Sequence, residues 1–105
     1  MKHLLTFLLA LLSLPTLAAK DVLNSKINYV YQLDSDATVF EFQSNVPNGC
    51  GGHLYRVHSP NEAVANRKFS LVLTAFTTDA NLAFHDTESC APGNRSIVAW
   101  VRLLK

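Results

Sequence analysis

Two cysteines and two histidines are the residues whose types and spacing suggest chemistry. Cys50 and His53 have a C-x-x-H spacing, and His85 with Cys90 would complete a set of four zinc ligands. The chain begins, however, with a segment typical of export, and two lone cysteines in an exported protein form a disulfide by default. We therefore predict a Cys50–Cys90 disulfide and no metal site, with zinc as the weaker alternative.

Histidines can also act as a general acid and a general base. The best catalytic set in the sequence is His53 and His58 with Lys68 as an anion stabiliser, which are residue types that a small ribonuclease uses. The sequence contains no nucleophile elbow, phosphate-binding loop or H-E-x-x-H motif. We therefore expect no catalytic residue, no cofactor and no enzymatic activity. A small secreted hydrolase such as an RNase is the weakest hypothesis.

Aromatic residues with polar tips are the remaining candidates for binding a ligand. Side chains of this kind stack on sugar rings or fill a contact with another protein. The alternative is that they pack in the core or at its rim. The candidate ligand-binding residues are Tyr29, Tyr31, Tyr55 and Trp100.

The N-terminus has the three parts of a signal peptide. A basic start at Lys2 precedes an apolar stretch over residues 4–12, and small residues at Thr16 and Ala18 suit a cleavage site. The apolar stretch is well short of the ~20 residues that a membrane-spanning helix needs. We therefore predict a signal peptide at residues 1–19, no membrane span, and a secreted or periplasmic location after cleavage.

Residues 20–105 have the length of one domain, and we expect a single binding domain there. This part carries 8 Lys and Arg, which is the 9 of the whole sequence less Lys2, against 8 Asp and Glu. Its formal charge is zero, whereas nucleic-acid binders need a basic face, so we expect no nucleic-acid partner. In so small a domain the disulfide would stabilise the fold by roughly 4 kcal/mol.

Alternating apolar and polar residues predict strands on both sides of one helix. In residues 27–33 the residues Ile27, Tyr29 and Tyr31 point one way, and a short polar link leads to a second strand with Phe40 and Phe42 inward. A later strand has Leu82 and Phe84 inward, and the last strand is apolar on both faces, which is typical of a central position. The predicted strands are residues 27–33, 38–43, 53–57, 82–86 and 97–104.

The helix has the clearest local signal. Ser59 can cap it, Pro60 fits its first turn, and Glu62 lies three residues after the cap. Apolar residues recur at helical spacing, which predicts a buried stripe and an end near residues 78–81. The stripe comprises Ala65, Phe69, Val72 and Phe76.

The order of these elements resembles a known family. Gly49-Cys50-Gly51-Gly52-His53-Leu54-Tyr55 is followed by a helix ending Leu71-Val72-Leu73-Thr74-Ala75-Phe76, then Asn81-Leu82-Ala83-Phe84, then Cys90 and a strand over residues 97–101. In this order the chain resembles small exported bacterial proteins similar to subtilase-cytotoxin B subunits. The resemblance implies an α+β, mainly β fold, namely a small five-stranded oligonucleotide/oligosaccharide-binding (OB) barrel with one helix between strands 3 and 4. It also implies a ring of five subunits that binds host glycans.

We therefore expect an exported, non-enzymatic binding module, similar to a glycan-binding toxin B subunit that forms a ring. The alternative is a secreted or periplasmic inhibitor or interaction protein that acts as a monomer on another exported protein. The broad helix stripe and the two-faced apolar last strand would both suit assembly into a homo-oligomer.

Overall fold

The computed structural model describes residues 19–104. Residues 1–18, which hold nearly all of the predicted signal peptide, lie outside the described residues. The described part contains six strands and one helix: β1 (Lys20–Ser25), β2 (Ile27–Gln32), β3 (Val39–Ser44), β4 (Leu54–His58), α1 (Glu62–Thr78), β5 (Leu82–Ala91) and β6 (Arg95–Leu103). Within residues 19–104, no helix has the length and apolar character needed to cross a membrane.

The six strands form one sheet in the order β1-β5-β6-β4-β3-β2. Neighbouring strands are antiparallel except β4 and β6, which are parallel. The prediction of a mainly β fold with one helix and one disulfide is confirmed. The prediction of five strands closed into a barrel is wrong, because the sheet has six strands and is open, with β1 and β2 as its edges.

The additional strand is β1, which the alternation of residues did not reveal. Most of its residues are polar and exposed, and only Val22 and Ser25 are buried. Its position is fixed by pairing with β5, where Val22 lies opposite Phe84. A strand of this kind is specified by its partner strand and not by its own composition.

The sheet is strongly curled, because its two edge strands are consecutive in the chain. Lys26 alone separates β1 from β2. Across the same curl, the ring of Phe84 on β5 packs edge-on against Phe42 on β3, with 5.2 Å between the ring centroids. The two strands are not neighbours in the sheet, so this contact requires the sheet to bend around the core.

The core lies on the concave side of the sheet, under the helix. Phe40, Phe42, Leu82 and Phe84 are fully buried there, as predicted from their alternation. Tyr55 joins them, and its hydroxyl donates a hydrogen bond to the carbonyl oxygen of Val46 at 3.0 Å. Aromatic rings in edge-on or offset contact of this kind contribute beyond the burial of their area.

The helix differs from its prediction at its N-terminus and on one face, whereas its predicted end near residues 78–81 is confirmed. The N-cap is Asn61, whose side chain accepts a hydrogen bond from the backbone N–H of Val64 at 3.0 Å, and not Ser59. At the other end Asp79 adopts a left-handed conformation with φ 54° and ends the helix. Phe76 is exposed, contrary to the predicted stripe, because its neighbour Ala75 occupies the position that faces the core. The buried helical residues are Ala65, Val72 and Ala75.

Cys50 and Cys90 form the predicted disulfide, with 5.6 Å between their Cα atoms. Cys50 lies in the loop between β3 and β4, but Cys90 lies within β5 and not in a loop. The strand continues through residues 87–91 because it contains an irregularity, where Glu88 takes a positive φ of 61° and the pairing with β6 shifts register. The disulfide therefore joins the β3–β4 loop to the sheet itself.

Candidate functional site

The side of the sheet that faces away from the helix carries the candidate functional site. Successive strand residues point to opposite faces, so residues between core side chains point away from the core. Glu41 lies between Phe40 and Phe42 and pairs in register with Arg56 on β4. Arg95 on β6 pairs with Leu54, so it lies on the same side. We call this side the open face.

Four residues of the open face form one polar cluster, the arginine cluster: Tyr31, Glu41, Arg56 and Arg95. Glu41 is its centre and is only 1% exposed. Arg56 donates a hydrogen bond from Nε to Oε2 of Glu41 at 2.7 Å, and Nε of Arg95 lies 2.6 Å from the same oxygen. The hydroxyl of Tyr31 donates to Oε1. A single buried carboxylate therefore holds two guanidinium groups and one phenol.

The pKa shifts in the arginine cluster follow from this geometry. Burial alone would raise the pKa of Glu41, but the hydrogen bonds from Tyr31 and Arg56 and the ion pair with Arg95 outweigh it and lower that pKa. The pKa of Tyr31 is raised, first by burial and then by its hydrogen bond to Glu41. Glu41 is therefore held as a carboxylate and the phenol as a neutral donor.

A tight turn places Arg95 in the cluster. Gly93, in the turn between β5 and β6, has a φ of 86°, which favours glycine. Nη1 of Arg95 donates to the carbonyl oxygen of Pro92 at 2.8 Å and passes directly over Gly93. A Cβ atom at position 93 would overlap the guanidinium group. The glycine therefore leaves the room that the arginine occupies.

The four aromatic residues proposed as ligand contacts are not together. Tyr29 and Tyr31 are neighbours on β2, with ring centroids 6.0 Å apart, and Tyr29 is 39% exposed. They face away from Ile27, contrary to the predicted alternation, because the pairing of β2 with β3 shifts register between Ile27 and Tyr29. Tyr55 is fully buried in the core, so it offers no surface to a ligand.

Trp100 belongs to a second group on β6 and its neighbours. Its ring stacks on His85 with 6.1 Å between centroids, and the guanidinium carbon of Arg102 lies 5.6 Å from its centroid. Nδ1 of His85 is in turn 2.7 Å from a carboxylate oxygen of Asp21. The half-buried indole therefore has two polar neighbours, His85 on β5 and Arg102 on β6.

The proposed catalytic residues do not form a recognisable site. His53 lies in the loop before β4 and His58 ends that strand, and both are exposed. Lys68 lies on α1, where Nζ donates to the carbonyl oxygen of Ala99 at 3.1 Å. Residues 19–104 contain no group of three or more metal-binding side chains and no pocket.

Three of the four members of the arginine cluster were not predicted from the sequence. Of these three, only Glu41 has a feature in the sequence that could have identified it, because it is a lone acid between two inward phenylalanines on a strand. Arg56 and Arg95 are far apart in the sequence and meet only through the parallel pairing of β4 with β6.

Comparison with known protein families finds no matching family model, and comparison with curated proteins finds no significant match.

Proposed function

We propose that the protein is an exported, non-enzymatic binding module that recognises another protein through the open face. The observation that carries this proposal is the arginine cluster, in which a buried carboxylate holds two arginines and a tyrosine on the open face. Arginine and tyrosine are enriched among the residues that dominate binding energy at protein contacts.

The energetics of buried ion pairs support a role beyond folding. Removing two guanidinium groups and a carboxylate from water is expensive, and apolar residues of similar volume often give equal or greater stability. The arginines remain a quarter exposed, with side-chain exposures of 29% for Arg56 and 25% for Arg95. Groups that are preorganised yet accessible are suited to binding.

A crosslinking experiment tests this proposal. A photoreactive amino acid replaces Tyr29 on the open face in one variant and Asn66, an exposed residue of α1, in a matched control. Both proteins are produced with export in the native host and irradiated. We expect one defined crosslinked protein from position 29 and none from position 66. The same crosslinks from both positions, or from position 66 alone, would contradict recognition through the open face.

Glycan binding is the second candidate function. The adjacent rings of Tyr29 and Tyr31 favour it, since exposed aromatic rings can stack on a sugar. The resemblance to toxin B subunits adds a ring of five subunits, and the exposed Leu73 and Phe76 on α1 offer an apolar surface for such assembly.

Two measurements test the second candidate. A glycan array probed with the wild type and with Tyr29→Ala is expected to show binding that the substitution removes. Light scattering at micromolar concentration is expected to give the mass of a pentamer. A monomer with no array signal would exclude a glycan-binding ring and leave the protein-binding module.

A further inference from the structure

The arginine cluster has one more positive charge than it needs for its own neutrality. Two guanidinium groups share the carboxylate of Glu41, and both use Nε for that contact. Nη1 of Arg95 also donates to Pro92. Within residues 19–104, the Nη nitrogens of Arg56 have no hydrogen-bond acceptor. The cluster therefore offers a net single positive charge and unused donors at its exposed side.

The geometry of guanidinium groups determines which ligand chemistry fits. An arginine fork matches the two oxygens of a carboxylate and forms charge-assisted hydrogen bonds with it. Here the two forks are held in place by one buried oxygen, so little side-chain entropy remains to be lost on binding. A single additional carboxylate would bring the cluster to neutrality.

The neighbours of the two arginines favour a carboxylate on a protein. Leu54 lies opposite Arg95 and Ile97 lies opposite Arg56 across the β4–β6 pair, and both aliphatic side chains are half-buried on the open face. Arginine alternates with aliphatic residues, and tyrosines flank them on β2. A peptide segment with an acidic residue between apolar ones matches this pattern, since interface cores combine apolar contacts with a few charged anchors.

We propose that Arg56 and Arg95 form a subsite for one carboxylate group of an acidic segment in the partner protein. Glu41 acts as the buried counter-ion that positions both guanidinium groups. This inference rests on the proposed function and specifies the chemistry of the partner.

The test is an NMR titration of the full mature, disulfide-bonded protein that follows the Nε–Hε signals of its arginines. The probe is an acetylated and amidated tetraglutamate peptide, with tetraglutamine as its uncharged match. We expect tetraglutamate to shift the signals of Arg56 and Arg95 but not that of Arg67, an exposed arginine of α1. Tetraglutamine should shift none of them. Equal shifts at all arginines, or no shift at millimolar tetraglutamate, would overturn the subsite.

Two variants separate binding from folding. Arg56→Gln leaves Glu41 paired with Arg95 and should weaken tetraglutamate binding about tenfold, because hydrogen bonds to charged groups are lost. Arg67→Gln removes the same charge from the helix and should leave the affinity unchanged. Equal losses in both variants would show bulk electrostatics and overturn the inference. If Arg56→Gln does not fold, the wild-type titration still decides.

A third probe addresses the class of ligand, and the crosslinking experiment separates this inference from the proposed function. Tetragalacturonate that shifts Arg56 and Arg95 while tetraglutamate does not would overturn a peptide ligand in favour of an acidic sugar. A defined crosslink from position 29 without any response to tetraglutamate would overturn the subsite alone. A response to tetraglutamate with crosslinks only from position 66 would support the subsite and contradict the proposed function.

Discussion

The two faces of the sheet bury adjacent residues of β3 in different environments, one charged and one apolar. Glu41 and Phe42 are neighbours in β3 and are equally buried, at 1% and 0% exposed. On the helix-covered face, Phe42 stacks on Tyr55 with 5.4 Å between the ring centroids, so apolar packing stabilises its burial. On the open face, two arginines balance the charge of Glu41, and the hydroxyl of Tyr31 donates a hydrogen bond to it.

This difference separates stability from recognition. Apolar burial stabilises the fold roughly in proportion to the area removed from water, and any well-shaped residue can supply it. A buried charge stabilises little in net terms and depends on each of its partners. The helix-covered face therefore holds the fold together, while the open face holds particular side chains in particular places.

The largest expected effect on stability comes from creating a cavity in the core on the helix-covered face. Phe84→Ala removes a fully buried ring that packs against both Phe42 and Tyr55. It should lower the free energy of unfolding by about 4 kcal/mol, measured by urea denaturation. Leu23→Ala, at a side chain that is 62% exposed, is the control and should change it by less than about 0.5 kcal/mol. A similar small loss in both variants would contradict the assignment of the core.

Removing the central charge of the open face should lower the free energy of unfolding by a smaller amount. Glu41→Gln leaves Arg56 and Arg95 without their shared carboxylate and should lower the free energy of unfolding by about 2 kcal/mol at neutral pH. This is below the cost of breaking a fully buried pair because both arginines reach water. Replacing Glu41, Arg56 and Arg95 together by Leu should recover most of that stability. A triple variant as unstable as Glu41→Gln would show that the charges themselves hold the fold.

Lowering the pH should gradually reduce the stability that the carboxylate of Glu41 contributes. The pKa of Glu41 is lower in the folded state than in the unfolded chain, so the unfolded state binds more protons in acid. The stability that Glu41 supplies is complete at pH values above the usual pKa of a glutamate in the unfolded chain, and it is lost as the pH falls through the lower pKa of the folded state. The difference in unfolding free energy between wild type and Glu41→Gln should therefore narrow below that usual pKa in urea titrations at decreasing pH. A constant difference would contradict the lowered pKa.

The helix-covered face was more predictable than the open face because its signals are local. Phe40, Phe42, Leu82 and Phe84 alternate with polar residues, and this period is sufficient to assign them to the core. The disulfide followed from the presence of only two cysteines in the sequence and from the export signal that we predict at its N-terminus. Neither inference needed to know which strands are neighbours.

The open face depends on pairings between distant residues and on irregular backbone. The register shift in β2 turns Tyr29 and Tyr31 away from the core, and the positive φ at Glu88 extends β5 through a segment that resembles a loop. The parallel pairing of β4 with β6 brings Arg56 to Arg95. Sequence alternation does not encode these features, because a single extra residue reverses the face of every residue that follows.

The smallest expected effect tests whether Tyr31 belongs to the arginine cluster or only covers it. Tyr31→Phe removes the hydroxyl that donates to Glu41 and keeps the ring beside Tyr29. It should lower the free energy of unfolding by about 1 kcal/mol, because the hydroxyl is one of three groups that balance a buried carboxylate. Tyr29→Phe, at an exposed ring, is the matched control and should have no measurable effect.

A double-mutant cycle makes the comparison sharper. In a Glu41→Gln background the acceptor is neutral, so Tyr31→Phe should cost less than in the wild type, and the difference measures the coupling between phenol and carboxylate. Equal costs in both backgrounds would mean that Tyr31 acts through ring packing alone, like a residue of the helix-covered face. A coupling that appears at neutral pH and weakens in acid, as Glu41 gains its proton, would place Tyr31 within the charged cluster.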